Sequence, residues 1–219
     1  MLKKAWFSGY RFSEDLDFTL IDAEFPDETL LNEFQEAATL IETESAIQFE
    51  LGKIEKHQSG SIAFYINFIG PLGGRMGSKS VKIDITRGEK LFFDPEERPI
   101  FSTYPDLEEQ VFSLRCYPLE EIIIEKMVAL IGRTQPRDLY DVWYLLEEEP
   151  VELDFLKSEF EGKAKHKGHR PEDFHPIFEK KERQFRASWQ QYLAHQIAEL
   201  PEFDTVWRAL GRHFRQFKK

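Results

Sequence analysis

Val81-Lys82-Ile83-Asp84-Ile85-Thr86 alternates apolar and polar side chains without interruption, and Asp15-Leu16-Asp17-Phe18-Thr19-Leu20 does the same. Successive side chains of a strand point to opposite faces, so each segment can form a strand with one face on a core and the other face wet. Residues two apart on such a strand share a face, with Cα atoms about 6.5–7 Å apart. Asp15 and Asp17 could therefore reach one divalent cation. If the two segments are sheet neighbours, Asp84 joins them and a three-carboxylate cluster results. The same residues could equally be solvated acids on an exposed strand face.

The elements around these strands follow from periodicity. Leu30, Leu31, Phe34, Ala37, Ala38 and Ile41 recur at helical spacing and predict a helix over Glu28–Glu44. Gln48–Ile54 and Ile62–Ile69 read as paired strands around the turn His57-Gln58-Ser59-Gly60. Pro71–Ser78 holds glycines at 73, 74 and 77, but it lies between two strands and lacks a Lys-Ser/Thr ending, so it reads as a turn and not a phosphate loop. From Leu119 onward the pattern is helical: Leu119–Ile131, Arg137–Glu147, Leu153–Phe160, Pro176–Leu200 and a last helix from Phe203. The expected fold is α/β (α+β), with a mixed sheet and flanking helices over residues 1–118 and a helical part over 119–219.

Composition narrows the class. A hydrophobic fraction of 41% suits a globular chain, and no apolar run is long enough to span a bilayer, so no membrane association and a cytoplasmic location are expected. Cys116 is the only cysteine; it excludes an internal disulfide and reads as a buried small hydrophobe. The net charge of −11 argues against a protein that coats nucleic acid generally. It is uneven: residues 151–219 hold 14 basic and 11 acidic side chains, leaving 15 and 29 for the first 150. His166, His169 and His175 stand among lysines without a cysteine or acid at zinc spacing, and no zinc site is expected.

In the helical part, Lys126 interrupts the apolar stripe of Ile122, Ile123, Met127 and Leu130. It could snorkel outward, or serve as a fixed cation on a triphosphate. Downstream, Arg133-Thr134-Gln135-Pro136-Arg137-Asp138-Leu139-Tyr140-Asp141 predicts a helix opened by Pro136, with Asp138 and Asp141 on one face. Arg137 and Asp141 could form an ordinary i, i+4 pair.

Taken together, Gly9-Tyr10-Arg11-Phe12-Ser13-Glu14-Asp15-Leu16-Asp17-Phe18, Val81-Lys82-Ile83-Asp84, Glu125-Lys126-Met127-Val128-Ala129-Leu130 and Arg137-Asp138-Leu139-Tyr140-Asp141 resemble the AbiEii/AbiGii toxin family of nucleotidyltransferases. The resemblance implies a polymerase-β-type fold and Mg²⁺-dependent transfer of a nucleoside monophosphate from an NTP to a hydroxyl, on RNA or tRNA. Mn²⁺ could stand in for Mg²⁺. It implies Asp15, Asp17 and Asp84 as metal ligands, Lys126 on the nucleotide phosphates, and Asp138 as general base. Arg11, Ser13, Arg133 and Arg137 would complete the nucleotide-binding set. A toxin of this kind implies an antitoxin protein encoded nearby.

The family also carries a Gly-Gly-Ser/Thr turn ahead of the Asp-x-Asp pair, and residues 1–14 contain none. The expectation is either a start further upstream or a lost phosphate grip. The second case would leave a catalytically impaired homologue that binds a partner or RNA, using Arg208, Arg212, Arg215, Lys218 and Lys219 with Trp207 and Phe214 available to pack or stack.

Overall fold

The computed structural model describes residues 2–13, 15–45, 47–57, 59–70, 73–101, 112–149 and 151–217. Glu14, Gln58, Pro71, Leu72, Lys218 and Lys219, which figured in the readings above, lie outside the described residues. The fold is mixed α+β, as expected. It comprises two compact units: Ser13–Glu89, and Leu2–Phe12 together with Lys90–Lys219.

The first unit is a four-stranded sheet with one helix. Its strands are β1 (Asp15–Leu20), β2 (Gln48–Lys56), β3 (Ile62–Ile69) and β4 (Ser80–Arg87), in the order β1-β4-β3-β2. β1 runs parallel to β4, while β4–β3 and β3–β2 are antiparallel. The predicted alternation decides the buried face. Ile62 and Phe64 of β3 and Ile83 and Ile85 of β4 form the core with Leu30 of α1 (Asp27–Ser45), and Phe34 meets Phe64 edge-on at 4.9 Å. The β2 ladder shifts register between Leu51 and Ile54. Gly52 sits in that irregularity because a Cβ there would stand 3.0 Å from the Asn67 amide and 3.2 Å from the Tyr65 carbonyl oxygen.

The second unit is helical: α2 (Leu119–Gly132), α3 (Pro136–Glu147), α4 (Lys157–His166), α5 (Phe174–Lys180), α6 (Glu182–Leu193) and α7 (Phe203–Phe217). Its core joins Ile123, Met127 and Leu130 of α2 to Leu139 and Leu145 of α3 and to Trp189 of α6. The segment expected as one helix over Pro176–Leu200 is broken after Lys180 and ends at Leu193. Lys181 at the break donates to the carbonyl oxygens of Leu130, Ile131 and Arg133 at 2.7, 2.9 and 2.9 Å. A cation thus satisfies the last carbonyls of α2, where its charge also opposes the negative end of the helix dipole.

Two short strands escaped the periodicity reading, β5 (Glu96–Pro99) and β6 (Ser113–Cys116), which pair antiparallel. Both lie in the second unit, which resumes at Lys90. Arg98 of β5 packs over the Trp6 ring of the π-helical turn Leu2–Trp6, and Phe92 and Phe93 donate backbone N–H groups to Glu121 of α2. Cys116 is buried and unpaired, and burial raises its thiol pKa.

Candidate active site

In the first unit, Asp15 and Asp17 sit at alternate positions of the edge strand β1. The ladder sets Asp17 opposite Asp84 and Asp15 opposite Lys82. The two strands are therefore sheet neighbours, but among the described residues the three carboxylates do not gather as a metal site. Lys82, two residues before Asp84 and on the same face, holds the Asp84 carboxylate at 2.6 Å. That hydrogen bond, outweighing desolvation, raises the Lys82 pKa. Among the described residues no three His, Cys, Asp or Glu side chains gather as a metal site. Ser13 directs its hydroxyl to the Asp15 carbonyl oxygen at 3.3 Å.

In the second unit, Lys126, Arg133, Asp138, Asp141 and Arg11 form one ion network. Pro136 fixes the first turn of α3, and the i, i+3 spacing puts Asp138 and Asp141 on one face against α2. Both acids are 0% exposed. Asp138 accepts from Lys126 Nζ at 3.0 Å and from Arg133 Nε and Nη2 at 2.7 and 3.0 Å. Asp141 accepts from Arg11 Nε and Nη2 at 2.6 and 2.7 Å and from the Tyr10 hydroxyl at 2.7 Å, and it pairs with Lys126 Nζ at 2.9 Å.

Lys126, Arg11 and Arg133 share the two carboxylates here. Burial disfavours an ionised Asp141, yet Lys126 and Arg11 overcome that penalty and hold its pKa well below the usual carboxylate range. Burial likewise lowers the Lys126 pKa, but Asp141 and Asp138 outweigh it and the net direction is upward. The Tyr10 phenol is pushed well above its ordinary value, first by burial and then by Asp141. Lys126 stays charged and its side chain remains 24% exposed.

Several expectations change. Arg137 is not the partner of Asp141, because Arg11 and Lys126 occupy both carboxylate oxygens; Arg137 is half-buried and makes no side-chain ion pair or hydrogen bond among the described residues. Arg11 is committed to Asp141. The acid expected as general base, Asp138, is fully buried with both oxygens engaged by donors. Phe214 is 2% exposed and Trp207 stacks on Phe178 at 4.1 Å, so these two aromatics pack internally and do not offer free faces to bases. Tyr10 was missed as part of the network: 131 residues separate it from Asp141, and no local spacing reports such a contact.

Residues 1–209 match the profile of a family described as nucleotidyl transferase AbiEii toxin, type IV TA system. No curated protein matches. Among solved structures, JHP933 from Helicobacter pylori is similar with a TM-score of 0.55 and 17% identity, over 97% of this chain and 78% of that one. A second H. pylori structure, a putative nucleotidyltransferase, gives a TM-score of 0.56 and 18% identity over 97% and 80%. MenT4, a nucleotidyltransferase toxin from Mycobacterium tuberculosis, gives a TM-score of 0.53 and 19% identity, over 77% of this chain and 56% of MenT4. At these identities the likeness is one of fold.

Proposed function

The chain belongs to the AbiEii family of nucleotidyltransferase toxins, and from that premise we propose that it transfers a nucleoside monophosphate from an NTP to an acceptor hydroxyl on RNA, with tRNA as the leading acceptor. The observation that carries this reading is Lys126: a charged ammonium held between two buried carboxylates and still open to solvent. Such a fixed positive charge suits the polyphosphate of a nucleotide. Arg133, 51% exposed, and Arg137 lie in the same stretch of chain and would add to it.

In the proposed reaction the acceptor hydroxyl gives its proton to solvent as its oxygen bonds to the α-phosphorus, the bond from that phosphorus to the bridging oxygen breaks, and pyrophosphate leaves with the electron pair. Lys126 would neutralise charge on the departing phosphates. Asp15 and Asp17 suit a hard cation: they are oxygen donors on one strand face, and Mg²⁺ commonly takes only one or two carboxylates alongside water and phosphate. A bound Mg²⁺ or Mn²⁺ would polarise the phosphate and lower the pKa of the attacking hydroxyl. Asp84 would join the ligands only by releasing Lys82. Only Phe12, Ser13 and Glu14 separate Arg11 from Asp15 in the chain.

A toxin of this kind would work in the cytoplasm under control of an antitoxin encoded beside it. No helix among the described residues is long and apolar enough to cross a membrane. The test is transfer of labelled nucleotide from each of the four NTPs to total RNA, with Mg²⁺, by the parent and by Asp15→Ala/Asp17→Ala. Label from the parent alone is the expected result. Equal label from both would remove the metal role of the acid pair, and no label from either would remove the activity.

A further inference from the structure

Resting on the reading of Lys126 as a phosphate-binding cation, we infer that Asp138 and Asp141 form a two-carboxylate cradle that aims one N–H of Lys126 outward, so that both acids are positioning residues. A lysine ammonium has three N–H donors. Nζ donates to Asp138 Oδ1 at 3.0 Å and forms an ion pair with Asp141 Oδ2 at 2.9 Å. No third partner for Nζ exists among the described residues, and the side chain is 24% exposed. An ammonium on a flexible four-carbon stem would ordinarily rotate and wander. Two buried anchors remove that freedom and leave a single donor with a set direction.

The anchors are themselves fixed. A carboxylate offers about four lone-pair positions, and Asp141 fills them with Tyr10, two nitrogens of Arg11, and Lys126. Asp138 is gripped by the Arg133 fork at 2.7 and 3.0 Å. Neither acid is exposed, so an acceptor hydroxyl has no approach to Asp138, and its place in the site is to hold Lys126 and Arg133. The cradle also closes the N-terminal segment into the site's support, because Tyr10 and Arg11 reach across the chain to one acid on α3.

The first test needs no activity. In the full chain with ¹⁵N-labelled lysine, the Lys126 ammonium, assigned by its loss in Lys126→Arg, should give a slowly exchanging resonance at neutral pH. Asp141→Asn and, separately, Asp138→Asn should each remove it by fast exchange. A resonance unchanged in both folded variants overturns the cradle. The second test titrates inorganic tripolyphosphate. Lys126→Met and Asp141→Asn should each weaken binding about tenfold, and the double variant should bind no more weakly than Lys126→Met alone. Multiplying losses in the double variant would show that Asp141 acts independently of Lys126 and would overturn the inference. If the parent does not bind tripolyphosphate, the nucleotide reading fails, and the ammonium resonance still decides the cradle.

Discussion

Two buried ion networks occupy the helical unit, and they differ in whether their cations are closed off. In one, Lys163 donates to Glu121 Oε1 at 2.7 Å and to the Lys90 carbonyl oxygen at 2.8 Å and pairs with Glu125 at 2.9 Å, while Glu121 accepts the backbone N–H groups of Phe92 and Phe93. Lys163 and Glu121 are both 0% exposed. In the other, Lys126 and Arg133 touch the same kind of buried acid but keep 24% and 51% of their side chains in contact with solvent. The first network is a joint between α2, α4 and the segment at 90–93. The second holds a donor in reserve. Burial of charge is common to both, so burial alone does not mark a functional site; the open cation is what sets the proposed site apart.

The largest effect should come from the sealed joint. Lys163→Met leaves Glu121 and Glu125 without their ammonium, and breaking a buried pair from one side costs about 3–5 kcal/mol. Thermal unfolding should fall by roughly 10 °C for a domain of this size. A shift of only a degree or two would mean that the joint relaxes or admits water, and the contrast between the networks would weaken.

Asp141→Asn should cost about 2–4 kcal/mol at neutral pH, since Arg11 and Lys126 lose their shared anion. The sign of the pH dependence follows from the depressed pKa of Asp141, ordinarily 3.8. The unfolded chain takes up this proton at a higher pH than the folded one. The stabilisation is therefore complete above about pH 5 and is lost progressively as the pH falls below about 4. Unfolding free energies measured from pH 7 down to 2 should converge for parent and variant at the acid end. Parallel curves would show that Asp141 is not the group responsible.

Lys181→Met should cost about 1–2 kcal/mol, because three carbonyls at the end of α2 lose a charged donor. Chemical denaturation would register that loss, and no loss would mean that water caps the helix equally well.

The smallest stability effect, and the sharpest test of the comparison, belongs to Lys126→Met. Asp138 keeps Arg133 and Asp141 keeps Arg11, so no acid is orphaned. Stability should change by less than about 1 kcal/mol, while nucleotide transfer should drop about a hundredfold or more. A large loss of stability would make Lys126 a structural ion like Lys163.

Much of this was legible before any coordinates. Alternation in Val81–Thr86 and Asp15–Leu20 located β4 and β1, while their adjacency, which alternation leaves open, appears in the structure as the Asp17–Asp84 register. Lys126 stood out as a charge inside an apolar stripe, and Pro136 set the start of α3. The failures were of another kind. Four-residue β5 and β6 are too short for a period to emerge, and 13 residues lie between them. The expectation that Asp84 serves a metal rests on family resemblance and strand pattern, neither of which reports the lysine two positions away on the same face that pairs with it.

What the sequence by itself determined is most of the longer elements, their buried faces and the family, because periodicity and motif order are properties of neighbouring residues. What only the tertiary structure decided is who pairs with whom. Arg11, not Arg137, reaches Asp141, and Tyr10 joins it from 131 residues away. Lys163 is sealed while Lys126 is open. A lone lysine carries the same charge and reach at either position; its surroundings in three dimensions decide how many of its donors are spent.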